Sequence, residues 1–368
     1  MTPPRLVLAG DVMTGRGIDQ VLPHPGPPGL LEPWVRDARD YVRLAEQVHG
    51  AIPAPVPPAY LWGEALAEMD RFGAALRIAN LETAVTRSDA AWPGKGIHYR
   101  MDPRNVDCLV AARLDGCGLA NNHVLDWGRA GLEETLSTLA QAGLRSAGGG
   151  LNLQQASAPL ALPWAGGGRV LLSAWATPSS GVPEGWAATR GRSGVALLPD
   201  LTERSAAAVA RAVERARQPG DVAVVSLHWG GNWGFELPPA HREFAHRLVD
   251  LGAADVVHGH SSHHALPIEV YRGRAILYGC GDLLNDYEGI DPHGSLRSDL
   301  ACLYLLSLAA DGRLEGLEIA PLQLRRFRLE QAGPQARTWL ERMFIEQGRP
   351  LGTRVETTPQ GRLALRWD

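Results

Sequence analysis

The sequence predicts an α/β protein with buried strands, and three observations carry that prediction. Apolar runs of strand length alternate with amphipathic stretches of helix length through roughly the first two thirds of the chain. Five of those runs lead directly into carboxylate, carboxamide or imidazole side chains, which is where an open α/β sheet carries its ligands. The 368 residues are 45% hydrophobic and 21% charged, a composition that excludes disorder and supplies a large core.

Taken in order, strands are expected at Leu6–Ala9, Ala75–Ala79, Gly116–Ala120, Val170–Ser173, Val222–Leu227 and Asp255–His258. Helical periodicity lies between them at Ala59–Arg71, Arg129–Ala142, Glu203–Arg217 and Ala240–Asp250. After His264 the texture changes to short apolar runs between Gly or Asp turns: Leu266–Tyr271, Arg274–Tyr278, Ala301–Leu308 and Leu314–Leu322 read as antiparallel strands. Residues 1–328 therefore form one expected domain, and residues 329–368 a C-terminal helix (Pro334–Gln347) and tail. A proline-rich insertion at about 22–58 interrupts the rhythm and reads either as a lid over a site or as a surface excursion.

Charge narrows the function classes. Forty acidic against thirty-six basic residues leave a formal charge of −4, too balanced for a nucleic-acid surface or a polybasic membrane anchor. Lys95 is the only lysine, so arginine abundance reflects composition rather than a task. Cys108, Cys117, Cys280 and Cys302 show no metal-binding or redox spacing and read as reduced core thiols. The first residues lack the apolar length of a signal or a span, which makes the cytoplasm the expected location.

The strand-end residues are Asp11, Asn80 with Glu82, Asn121-Asn122-His123, His228, and the run His258 to His264. Singly, each has an ordinary reading as a turn, a cap or a core histidine. Four imidazoles within seven residues, out of twelve in the chain, resist that reading because burying them without partners is costly. Carboxylate, carboxamide and imidazole without thiolate suit a divalent transition metal, one or two ions of Mn, Fe or Zn, whereas calcium would want more oxygens. Two ions sharing a bridging ligand are the arrangement of hydrolases that attack phosphorus esters.

In order and spacing, GDVMTGR (10–16), NLETAVT (80–86), NNHVLDWGRAGLEETL (121–136), SLHWGGNW (226–233), DVVHGHSSHH (255–264) and ILYGCGDLLND (276–286) resemble the bacterial capsule-synthesis CapA family. That family, of the poly-γ-glutamate biosynthesis type, is a branch of the calcineurin-like metallophosphoesterases. The resemblance implies a four-layer α/β/β/α sandwich with metals at its sheet edge. It implies Asp11, Glu82, Asn122, His228, His260 and His263 as metal ligands, with Glu82 bridging. His258 is the alternative to His263, since His258-Gly259-His260 also has the spacing of two residues on one strand face. Where metallophosphoesterases usually carry Asp-x-His, this chain has Met13, so one metal position lacks a histidine; Asp19, His98 or water could complete it.

Further groups are expected to meet a small anionic substrate. Arg16, Lys95, His98 and Arg100 could contact it, and Trp229 and Trp233 could wall the pocket or simply pack. Asp126 could orient His123 or cap the following helix. Asp282, Asn285 and Asp286 are expected at the rim. The function implied is metal-dependent hydrolysis of a phosphoester or related anionic small molecule by a metal-bound hydroxide, with His123 as proton donor. Two alternatives stand beside it: a non-catalytic metal-containing component of poly-γ-glutamate or capsule synthesis that binds a polyanion or partner enzyme, and metal-assisted amide or γ-glutamyl bond chemistry.

Overall fold

The computed structural model describes residues 4–164, 167–290 and 294–368. Two β-sheets lie face to face. The larger centres on Arg5–Val12, with Leu76–Leu81, Gly116–Gly118 and Ser146–Ala147 parallel to it on one side. On the other side the sheet turns antiparallel through Leu300–Leu308 and Leu314–Arg325, as the short apolar runs predict. The second sheet orders Ile268–Tyr271, Arg274–Leu277, Val256–His260, Val222–His228, Gly168–Ala176 and Leu160–Trp164, with its four central strands parallel.

Side-chain alternation builds the layers, because successive residues of a strand face opposite sides. In the second sheet Val170, Leu172, Val222, Val224, Val256, Ala275 and Leu277 share a core with Leu6, Leu8 and Ile78 of the larger sheet. Their neighbours Leu171, Ala223, Val225, Leu227, Val257 and Ile276 form a separate core with Val209 and Val213 of helix Glu203–Ala216 and with Phe244 and Leu248 of helix Pro239–Asp250. Met69 and Phe72 from helix Ala65–Phe72, with Leu340 and Phe344 from helix Pro334–Gly348, cover the larger sheet. The result is the expected four-layer α/β/β/α sandwich.

Three local expectations are corrected and one short strand is added. The helix expected from Ala59 starts at Ala65, because the preceding backbone is drawn onto strand Arg328–Gln331: Leu329 N donates to Leu61 O and Glu64 N to Leu329 O, both at 2.9 Å. Residues 329–368 are more than a helix and tail, since Thr353–Thr357 and Leu363–Trp367 form a hairpin that extends the larger sheet from Leu314–Arg325. A short strand, Asp282–Leu284, pairs in parallel with the far end of Arg5–Val12. Arg274–Leu277 is antiparallel to Ile268–Tyr271 yet parallel to Val256–His260.

The proline-rich insertion is built into the core. Tyr41, Ala45, Ile52 and Val56 are buried, Val56 N donates to Val21 O at 2.9 Å, and Gly26 N donates to Asp19 Oδ2 at 2.7 Å. All four cysteines are free and buried. Among the described residues, no helix is long and apolar enough to cross a membrane.

Candidate metal centre

The carboxyl ends of both sheets meet at one place. Asp11 lies in parallel register with Asp282 on one side and Asn80 on the other. That approach requires glycine: a Cβ on Gly10 would stand 1.7 Å from Gly281 O. Asn80 Nδ2 donates to Asp11 Oδ1 at 2.7 Å, and Ser261 N to Asp11 Oδ2 at 3.1 Å. From the other sheet, His228 and His260 sit opposite each other in register, with their Nδ1 atoms 2.8 Å apart. His260 Nδ1 is 3.7 Å from Asp11 Oδ1. Among the described residues, ligand atoms of Asp11, His228 and His260 lie within 4.8 Å of one another, all buried.

Glu82 joins this group, with Oε1 3.7 Å from Nε2 of both His228 and His123. Its Oε2 is buried and has no hydrogen-bond partner. Burial, then Asp282, pushes the Asp11 carboxyl up to about 7; burial, then Asp11, pushes Glu82 well above the carboxylate range. Burial also drives His228 and His260 well below the usual imidazole range. Two crowded carboxylates that resist ionisation, an orphaned carboxylate oxygen and two neutral imidazoles are a donor set that fits a divalent cation, which would relieve the repulsion and use the lone pairs.

Asn122 is half-buried and places Oδ1 3.0 Å from His228 Nε2. The adjacent His123 donates from Nδ1 to Asp126 Oδ2 at 2.7 Å, so its Nε2 faces Glu82. Lys95 Nζ pairs with Asp126, donates to the Asn122 carbonyl and lies 3.0 Å from His123 Nδ1. Burial, then Lys95, pushes His123 down to about 4. Burial alone would raise Asp126, but Lys95 and His123 outweigh it and hold the carboxyl below its usual range.

His263 lies outside the Asp11–His228–His260 group but near enough to Asp11 for their charges to interact. Its Nδ1 is 3.0 Å from Asp282 Oδ1 and its Nε2 3.4 Å from the Tyr287 hydroxyl. Burial opposes a charge on that ring, yet Asp282 outweighs it and raises the pKa. His258 does not enter the group either: its Nε2 is 2.9 Å from Ala9 O in the opposite sheet and its Nδ1 3.2 Å from Ser226 Oγ.

Several expected substrate contacts are corrected. Arg16 is buried at 4% exposure and already engaged, bonding Asp286 bidentately and Glu32 Oε1 at 3.0 Å between the rings of Tyr41 and Tyr99. His98 Nε2 bonds Trp92 O at 3.1 Å, and Arg100 bonds Ser88 O at 2.8 Å while covering the Trp127 ring. Trp229 is a core residue stacked on His241, its indole donating to Tyr278 O at 2.9 Å. Asp19 accepts from Gly26, Asp102 and Asn105 and is not part of the Asp11–His228–His260 group. Of the cations expected at the substrate, Lys95 alone stands beside Asn122 and His123. From sequence, Asn80 reads as a cap, Asp282 as a rim residue and Ser226 as nothing in particular. All three stand in quoted motifs, the serine as the first residue of SLHWGGNW, but nothing in the sequence shows that its hydroxyl meets His258 and His260.

The chain is similar to known proteins. The family model described as bacterial capsule synthesis protein PGA_cap matches residues 5–287. A probable polyglutamine synthesis accessory protein of Mycobacterium tuberculosis, found in two strains, is 48% identical over 362 residues, covering 98% of this chain and 95% of the relative. The PGA biosynthesis protein CapA of Bacillus subtilis is 30% identical over 208 residues, 56% of this chain and 52% of its own. Among solved structures, a 5′-nucleotidase precursor from Thermus thermophilus superposes with a TM-score of 0.47 at 15% identity, covering 94% of this chain and 58% of that one.

Proposed function

This chain belongs to the bacterial capsule synthesis protein PGA_cap family, and we propose that it works there as a metal-dependent hydrolase of a phosphoester or a related anionic small molecule. One observation carries the reading: Asp11, His228 and His260 converge from two sheets beside Glu82, whose buried Oε2 has no partner. These residues would hold one or two ions of Mn, Fe or Zn, with Glu82 and Asn122 adjoining. A divalent ion there supplies Lewis-acid polarisation and a water acidic enough to ionise near neutral pH.

The remaining chemistry belongs to the chain itself. Asp126 holds the His123 proton on Nδ1 and leaves Nε2 toward Glu82 as the atom that accepts a proton and returns it to a leaving oxygen. Lys95 fixes Asp126 and the Asn122 backbone, and so orients both members of the Asn-His pair. The surrounding burial excludes bulk water and strengthens each of these interactions.

A second reading is favoured by the name of the 48% identical relative, an accessory protein of polyglutamine synthesis: a non-catalytic component that binds a polyanion or a partner enzyme. The test is elemental analysis of the purified protein, followed by turnover of p-nitrophenyl phosphate, bis-p-nitrophenyl phosphate and γ-glutamyl-p-nitroanilide with added Mn²⁺, Fe²⁺ or Zn²⁺. Metal-dependent phosphoester turnover lost in His260→Ala supports the proposal. Turnover of the γ-glutamyl anilide alone replaces its substrate class with an amide. Metal-free protein that takes up none of these ions and turns over none of these compounds overturns it in favour of the accessory reading, which then requires binding of poly-γ-glutamate.

A further inference from the structure

Three polar groups run between the sheets behind the candidate metal centre. Ala9 O can only accept, so His258 Nε2, 2.9 Å away, carries that ring's hydrogen. His258 Nδ1 in a neutral ring then accepts, and Ser226 Oγ at 3.2 Å donates to it. With its one hydrogen used, Ser226 Oγ accepts from His260 Nε2 at 2.7 Å. His260 is left with a bare Nδ1, the atom that faces His228 Nδ1 at 2.8 Å and Asp11 Oδ1 at 3.7 Å.

We propose that Ser226 and His258 are positioning residues: a one-way chain of hydrogen bonds from the Ala9 carbonyl sets the hydrogen on His260 Nε2 and so presents Nδ1 to a divalent cation. The inference rests on the reading of this site as a metal centre. It also gives His258 a task other than ligation. His258 and His260 share a strand face, but the inner ring is committed to the opposite sheet, and its direction of donation is relayed outward through a serine. A chain of this kind is informative because each member is buried, so no solvent hydrogen bond can substitute for a missing link.

Two measurements test it. In metal-free protein labelled with ¹⁵N-histidine, long-range ¹H–¹⁵N correlations report which ring nitrogen of His260 carries the hydrogen. Wild type should show Nε2–H, and Ser226→Ala and His258→Phe should show a mixture. His258→Asn, whose amide oxygen can accept where Nδ1 did, should restore Nε2–H. Chelator competition should then give Zn²⁺ affinities about 10- to 100-fold weaker for Ser226→Ala and His258→Phe, with His258→Asn close to wild type. His260 found as Nδ1–H in wild type overturns the inference, as does folded Ser226→Ala with wild-type tautomer and affinity. Should Ser226→Ala fail to fold, His258→Phe decides by the same two readouts. If the tautomers respond as expected but wild type takes up no metal, the metal reading fails while the relay stands.

Discussion

At the scale of single residues, Asn122 and His123 are neighbours facing different partners, Asn122 toward His228 and His123 toward Asp126 and Glu82. Their substitutions should therefore separate. His123→Ala should keep its metal and lose about 10²- to 10⁴-fold in turnover, less on substrates whose leaving group needs no proton, whereas Asn122→Ala should lose metal and turnover together. Metal content and kcat on the same preparations check this. His241 makes a second prediction. Stacked on Trp229 at 4.6 Å, it is pushed by burial down to about 4, below the 6.5 of a free ring. Between those values the unfolded chain binds the extra proton, so stability is full above pH 6.5 and falls as the pH drops toward 4. The linkage amounts to about 2 kcal/mol at pH 5. Urea unfolding should show wild type losing that much more than His241→Phe between pH 7.5 and 5; equal losses would refute it. Asp11, Glu82, Asn122, His228 and His260 could be read from sequence because each follows an apolar strand. Arg16 and Trp229 could not, because a sequence shows an arginine or a tryptophan but not the carboxylates or rings that already occupy it.

Elements divide in the same way. Long apolar strands such as Val222–His228 announce themselves by composition and length, and so do the helices that cover them. Asp282–Leu284 does not: it has three residues, follows a glycine, and gains its identity only by pairing with Arg5–Val12, far away in the chain. The C-terminal hairpin is hidden for a related reason, since TRVET and LALRW pack against a sheet that the local sequence cannot foresee. The short strand nevertheless places Asp282 beside Asp11, and Gly10 makes the approach feasible. Gly10→Ala should push the two strands apart, lowering stability by about 1–3 kcal/mol and reducing metal uptake, as thermal melting and elemental analysis would show. A Gly10→Ala protein with wild-type melting and metal content would mean that this contact is slack.

The whole molecule divides the candidate metal ligands between layers: Asp11 and Glu82 come from the larger sheet, His228 and His260 from the smaller. A cation shared by them stabilises only the docked pair. Free metal at about a thousandfold excess over Kd should add about 4 kcal/mol, and chelation should lower the melting temperature correspondingly. The division also bears on time. Neither sheet alone offers the full set of donors, so the cation has nothing to grip until the two have closed on each other, late on the route to the native state. Its effect should then fall almost wholly on one limb of the chevron: refolding after a denaturant jump proceeds at the same rate with or without metal, while unfolding slows by the full binding energy. On the proposed reading the ion would act as a latch on a finished sandwich and take no part in its assembly.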